Sequence, residues 1–435
     1  MAAGFGDTIY AVASGTGRAA LSVLRGSGSA SAATLRALLG RVPPPRRASL
    51  GILRDAAGDV LDQGIVLWFP APASYTGEDC FELHLHGGTA VLEAVAGALS
   101  ALGLRPALPG EFTRRAVGHG RMDLLAAEAV ADVIDAETGE QRKQALRQLS
   151  GAVSDIYSGW SNRLLRLLAQ QEALIDFPDE ALPPEVDAAL VKGISDLAGV
   201  FETHLAEPPR GERLRSGLIF AIVGPPNVGK SSLINALTRR DVAIVSAQAG
   251  TTRDVLEARI ELAGVPVTLL DTAGLREATD SLEIEGIRRA RMRMAEADLI
   301  LSLHEASSPP AADRPERQGN VLDLATKTDL AADFDARRFG VSTRTGAGLE
   351  GLVQRLEAEA RKLAGAVETP VFSRARHRTA LTEAALHLRS SLAAPWPELR
   401  GEELRLALQA VGRVTGAVGL EDVLDSIFSQ FCIGK

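Results

Sequence analysis

Apolar and polar positions change their spacing along this chain, and the changes mark out its regions. Up to about residue 115, short apolar runs alternate with turn residues. Residues 19–25 and 65–69 read as strands, and 80–86 alternates apolar with polar positions before the Gly87-Gly88 break. Residues 89–102 then read as a helix ended near Gly103. From 122 to about 207 the period is helical: Leu164, Leu165, Leu167, Leu168 and Ile175 recur at helix spacing, with Arg163, Arg166, Gln170 and Gln171 between them. Pro178, Pro183 and Pro184 interrupt that run, and the PPRG segment at 208–211 reads as a hinge. The apolar runs 218–223 and 265–270 are short, as buried strands are. They open a strand–helix unit that closes with a helix near 349–363, after which 377–431 is helical again.

Helix, alternating unit, helix is the pattern of an inserted domain. The expected architecture is multidomain. It has an α+β N-terminal domain at 1–118 and an all-α helical domain formed by two chain segments, 119–210 and 375–435. Between those segments an α/β domain is inserted at 215–370.

Hydrophobic residues make up 46% of the 435 and charged residues 23%, a balance that supports sizeable cores. The formal net charge of -8 excludes a globally basic coat for nucleic acid, though not a local basic face. Two cysteines, Cys80 and Cys432, leave no disulfide framework or cysteine zinc cage and suit a reducing compartment. Residues 1–10 lack a basic segment followed by an apolar core, and no apolar run has the length of a membrane span. A soluble, cytoplasmic protein is expected.

The strongest chemical signal is GPPNVGKS at 224–231, which follows the 218–223 strand and precedes the helix-like run 232–237. In this GxxxxGK(S/T) pattern the glycines let backbone N–H groups turn inward around phosphates at a helix N-terminus. Gly224, Asn227, Val228, Gly229, Lys230, Ser231 and Ser232 are the expected contacts. Lys230 would reach the β- and γ-phosphates, and the Ser231 hydroxyl would ligate magnesium.

Three further segments point to GTP in particular. Residues 267–274 form an apolar strand ending in DxxG, with Thr272 and Ala273 between Asp271, which can hold the magnesium shell, and Gly274, whose amide can sense the γ-phosphate. Gly250, Thr251 and Thr252 open a polar segment suited to a switch loop with a second magnesium-binding hydroxyl. Thr326, Lys327 and Asp329 follow the apolar run 320–324. An Asp here accepts from the guanine N1–H and amino group, donors that adenine lacks. Asn is the usual first residue of that motif, and Thr326 takes its place. Ser342, Thr343 and Arg344 would complete the guanine loop.

Leu275 follows the DxxG glycine, where Ras-like enzymes carry a water-orienting Gln, so hydrolysis needs another group. Asn227 is a candidate oxygen ligand for a monovalent cation beside the phosphates, which would supply the charge of an arginine finger. Glu283 is either the group that positions the attacking water or an ordinary exposed carboxylate.

Together GPPNVGKS, GTTRD at 250–254, DTAGLRE at 271–277 and the final FCIGK resemble the MnmE family, also called TrmE, of bacterial tRNA modification GTPases. SYTGED at 74–79, HGG at 86–88, PGEFTR at 109–114, DLLAAEAV at 123–130 and IDF at 175–177 extend the resemblance over essentially the whole chain. The resemblance implies a homodimer joined through an N-terminal domain that binds a formyl-tetrahydrofolate-type one-carbon donor. The matching positions are Arg25, Glu82, Arg121 and Lys435, with Arg121 standing where the family usually has Lys. It also implies a Ras-like P-loop G domain stimulated by potassium through transient dimerisation. The ion would be held by Asn227, the carbonyls of Ser246 and Gln248, and Thr251, with Thr252 joining Ser231 on magnesium. Glu283 matches the family's catalytic glutamate, acting with Lys230 and Asn227. Finally it implies a partner, the FAD- and NADH-using MnmG, in a heterotetramer that forms a 5-carboxymethylaminomethyl-type group at the wobble uridine of certain tRNAs.

Other residues admit competing readings. Cys432 is a thiolate nucleophile toward a uridine ring or a packed residue among Ile427, Phe428, Phe431 and Ile433. His84 and His86 lack a third metal ligand at sensible spacing and read as strand residues beside the folate pocket. The run Arg288, Arg289, Arg291 and Arg293 is a solvated helix face or a surface for tRNA or the partner. The alternative function is a ribosome-assembly GTPase switch akin to Era or Der. It accounts for Asn227, Thr252 and Leu275 but not for the N-terminal region, the helical flanks or the FCIGK terminus.

Overall fold

A computed structural model describes residues 6–15, 17–176, 184–239, 257–271, 296–308, 320–331, 334, 339–364, 373–417, 431 and 434. The chain divides into two compact units, one of residues 1–131, 157–168 and 404–435 and the other of 132–156 and 169–403.

The first unit contains β1 (Ile9–Val12), β2 (Ala19–Ser27), α1 (Ser31–Leu39), β3 (Ser49–Arg54), β4 (Val60–Phe69), β5 (Cys80–Gly87), α2 (Thr89–Ala101), β6 (Arg105–Pro106), α3 (Glu111–Gly118) and most of α4 (Leu124–Asp135), whose residues from Asp132 on belong to the second unit. Its strands form a six-stranded sheet in the order β3-β4-β5-β2-β1-β6, antiparallel except for the β1–β6 pair. The alternation in β5 does what period two requires. Phe81, Leu83 and Leu85 are buried with Leu35 and Leu38 of α1 and Val95 and Leu99 of α2. Glu82 and His84 lie on the opposite face, in register with Arg25 and Val23 of β2. That face carries aliphatic side chains of its own: Leu50 pairs with Ile65, and both are exposed, as are Ile52 and Leu21.

In the second unit, α5 (Gly139–Leu149), the two ends of α6 (Ala152–Asp176, of which residues 157–168 belong to the first unit), α7 (Pro184–Ala206) and α8 (Arg210–Ser216) precede β7 (Leu218–Val223). Then come α9 (Lys230–Thr238), β8 (Glu257–Leu262), β9 (Val265–Asp271), β10 (Leu299–Glu305), β11 (Asn320–Thr326), β12 (Gly340–Val341), α10 (Leu349–Ala364), α11 (Ala375–Ala393) and the start of α12 (Pro397–Thr415), whose residues from Leu404 on belong to the first unit. The second sheet runs β12-β11-β10-β7-β9-β8 and is parallel except for the β8–β9 hairpin. Strands buried on both faces need apolar residues throughout, which is why β7 reads LIFAIV without alternation. Phe220, Ile222, Leu269 and Leu301 share one core with Leu233 and Leu237 of α9 and Leu352 and Leu356 of α10. This is a Ras-like α/β domain.

The 208–211 segment, expected as a hinge, runs directly into α8. Gln144 donates to the Gly211 carbonyl at 2.9 Å and Gln141 to the Arg215 carbonyl at 3.0 Å, so α8 is fastened to α5 by side chains that satisfy its backbone. Among the helices, α7 packs on α11, and Ile194, Leu197 and Phe201 of the one and Leu381 and Leu388 of the other are fully buried. No helix of the described residues is long and apolar enough to cross a membrane.

Candidate functional site

Parallel strands place their C-terminal ends along one edge, where α/β folds bind ligands. The loop after β7, the end of β9, the end of β11 and the loop after β12 all lie on that edge, and they carry the sequence motifs. The phosphate loop has the backbone its glycines permit. Gly224 has φ +154°, and a Cβ there would stand 2.6 Å from the Leu303 carbonyl oxygen, so only glycine fits. Asn227 is exposed with φ +61°, and Gly229 caps α9 at φ +104°. Lys230 is buried, and its ammonium donates to the carbonyls of Gly224 at 2.9 Å and Pro225 at 3.0 Å. The cation therefore sits inside the loop. Ser231 donates to Asp271 Oδ2 at 2.7 Å, which brings together two hard oxygen ligands from sites 40 residues apart. Val228 is buried beneath the loop and Ser232 is exposed on α9.

The base motif is equally well formed. Lys327 adopts φ +56°, a left-handed conformation held at the turn after β11, and its ammonium meets Glu305 at 2.5 Å. Ser342, fully buried, donates to Asp329 Oδ1 at 2.7 Å and so aims the carboxylate. Thr326 is buried and donates to the Val228 carbonyl at 2.7 Å, joining the base motif to the phosphate loop. Thr343 and Arg344 follow Ser342, with Arg344 exposed.

A second constellation occupies the open face of the first sheet. Arg25, Glu82 and Arg121, named from the sequence, line one cavity of about 250 Å³ with Arg46, Phe69 and Tyr75. Arg25 donates from Nε at 3.0 Å and Nη2 at 2.8 Å to Glu82 Oε1, and its guanidinium stacks over Tyr75 at 5.2 Å. Burial pushes the Tyr75 hydroxyl above its ordinary pKa, against the opposing influence of its Thr113 hydrogen bond and of Arg25. Arg46 lies over Phe69 and donates to the Ala73 carbonyl. Sequence reasoning missed Arg46, Phe69 and Tyr75. Tyr75 belongs to the SYTGED motif, a usable signal, whereas Arg46 arrives through the turn before β3 and has no local signature. His84 lies beside Glu82 at 3.6 Å, and His86 bonds Asp62 at 2.8 Å.

The remaining sequence-named residues lie outside the described residues: Ser246, Gln248, Gly250, Thr251, Thr252, Thr272, Ala273, Gly274, Leu275, Glu283, the arginines of 288–293, Cys432 and Lys435.

Comparison with known proteins gives a consistent result. A family model described as the MnmE helical domain matches residues 124–432, and one described as the GTP-binding protein TrmE N-terminus matches residues 8–121. A tRNA modification GTPase MnmE from Gluconacetobacter diazotrophicus is 54% identical over 98% of this chain and 98% of its own length. The protein of the same name from Granulibacter bethesdensis is 54% identical over 99% of each. Among solved structures, a variant of Era from Aquifex aeolicus bound to GDP.AlF4- is 27% identical, covers 32% of this chain and 56% of that one, and has a TM-score of 0.24. With both the N-terminal and the helical family models matched and full-length relatives at this identity, the chain belongs to the MnmE family of tRNA modification GTPases.

Proposed function

We propose that this chain hydrolyses GTP and, as a homodimer in the cytoplasm, couples hydrolysis to wobble-uridine modification. An FAD-dependent MnmG-type partner joins it in forming a 5-carboxymethylaminomethyl-type group in certain tRNAs. One observation carries the reading. A single chain holds both a phosphate loop whose Ser231 meets Asp271 and a separate cavity where Arg25, Glu82 and Arg121 converge. A ribosome-assembly switch has no use for the second, and the full-length relatives named above do not favour that alternative.

At the nucleotide, the Lys230 ammonium has three N–H donors, which turn from the loop carbonyls to anionic phosphate oxygens. The Ser231 hydroxyl, a hard oxygen, suits magnesium, with Thr252 assigned beside it, and Asn227 with Ser246, Gln248 and Thr251 is assigned to potassium. The two ions would offset negative charge that develops during phosphoryl transfer. Glu283 is assigned to positioning the attacking water. In the N-terminal cavity, the Arg25–Glu82 pair offers donors and an acceptor beside two aromatic rings, which suits a planar pterin. Arg46 and Arg121 supply positive charge for the acidic end of a folate, and Lys435 is assigned to the same ligand by the family resemblance alone. The exposed aliphatic strip of Leu21, Leu50, Ile52 and Ile65 on the same sheet face supports dimerisation through this domain.

The deciding test is GTP turnover in matched potassium and sodium buffers, followed by wobble-uridine modification with an MnmG-type partner and the folate donor. Strong potassium stimulation lost in Asn227→Ala, together with folate-dependent modification, supports the proposal. Equal rates in both salts would overturn the cation mechanism, and modification that proceeds without folate would overturn the assignment of the cavity.

A further inference from the structure

Thr326 is 3% exposed at the end of β11, and its hydroxyl lies 2.7 Å from the Val228 carbonyl and 3.2 Å from the His304 carbonyl. Both neighbours are backbone oxygens, which only accept. A hydroxyl carries a single proton, so that proton is committed to a carbonyl in either geometry. Guanine presents N7 and O6 on its Hoogsteen edge, and both are acceptors that require a donor. Facing N7, the Thr326 oxygen would set lone pair against lone pair. Asp329 is different: its carboxylate only accepts, Oδ1 is aligned by Ser342, and the group suits the N1–H and amino donors of guanine.

We propose that Thr326 is a tether between the base motif and the phosphate loop, and that this protein leaves guanine N7 unread. Base selection then rests on Asp329 at the N1–H and amino edge. The inference depends on 326–329 being the base site. An asparagine at 326 has two amide N–H donors: one can keep the Val228 carbonyl while the other meets N7. The residue at this position therefore decides whether N7 contributes to specificity.

The test is equilibrium binding of GDP and of 7-deaza-GDP, in which C–H replaces N7, to the full-length protein. Wild type is expected to bind the two within about twofold of each other, and Thr326→Asn to acquire an about three- to tenfold preference for GDP. Thr326→Val, which keeps the shape and loses the donor, weakens both ligands equally. A wild type that rejects 7-deaza-GDP by about tenfold or more overturns the proposal. So does a Thr326→Asn protein indifferent to N7, because position 326 would then not decide the reading. Asp329→Asn separates the two levels of the argument, since it should move preference from GDP toward the xanthine nucleotide. If that preference stays unchanged, the base site is elsewhere, and the tether proposal falls with it.

Discussion

Arg374 Nη2 donates to Asp132 Oδ1 at 2.6 Å, although the two residues are 242 positions apart. Arg215 approaches the same oxygen at 3.6 Å and donates from Nε to the Ser373 carbonyl at 3.1 Å. The two chain connections of the nucleotide-binding sheet, the one leading to β7 and the one leading away from α10, are thus pinned side by side on one carboxylate.

Asp132→Asn keeps the shape and removes the charge. Asp132 and Arg374 are 9% and 14% exposed, so the variant leaves guanidinium groups in a mostly buried setting with a weaker acceptor. The expected loss is about 2–3 kcal/mol in urea-induced unfolding. A variant within experimental error of wild type would show that the contact does not fasten the domain.

Arg115 is fully buried, and its Nη2 donates to Asp7 at 2.6 Å and Glu111 at 2.9 Å, while its Nη1 meets Glu78 at 3.2 Å. Burial pushes the Glu111 carboxyl up, but hydrogen bonds from Arg105, the Leu108 amide and Arg115 outweigh it and hold the group below its usual range. Asp7 is lowered in the same way, with burial opposed by Arg105 and Arg115. A carboxyl whose folded pKa is depressed stabilises the fold above its unfolded pKa and loses that contribution as pH falls through the folded value. Melting temperature should therefore drop as pH is lowered from about 5 toward 3, and Glu111→Gln should lie lower at pH 7 with a shallower acid limb. Parallel profiles for the two proteins would refute the assignment.

At the phosphate loop, Ser231→Ala removes the hydroxyl that meets Asp271. The magnesium concentration needed for half-maximal GTP turnover should rise, and turnover at saturating magnesium should fall by about 10²-fold. Unchanged magnesium dependence would mean that the pair is a fold contact only.

In the N-terminal cavity, Arg25→Ala leaves Glu82 Oε1 without the two N–H donors that converge on it and removes a face-on contact from Tyr75. Calorimetry should show folate-donor affinity reduced by about tenfold or more, with GTP turnover intact. Loss of both activities would point to a folding defect instead of a binding one.

The sequence by itself determined the phosphate loop, because glycine spacing, Lys230 and Ser231 act locally through backbone geometry that a strand and a following helix impose. It determined the strand character of β5 and β7 for the same reason: alternation and unbroken apolar runs report burial on one face or two. The family resemblance was also legible in short motifs spread over the whole chain. Tertiary structure alone decided which distant residues meet. Nothing near Arg46 in the sequence says that its turn delivers it to the cavity of Arg25 and Glu82, which sheet register assembles. Nothing near Thr326 says that its hydroxyl is spent on Val228, 98 residues earlier, because that contact depends on β7 and β11 ending at the same edge of the sheet on either side of β10. Local chemistry can be read from spacing, whereas a hydrogen-bond partner depends on what the fold brings within about 3 Å.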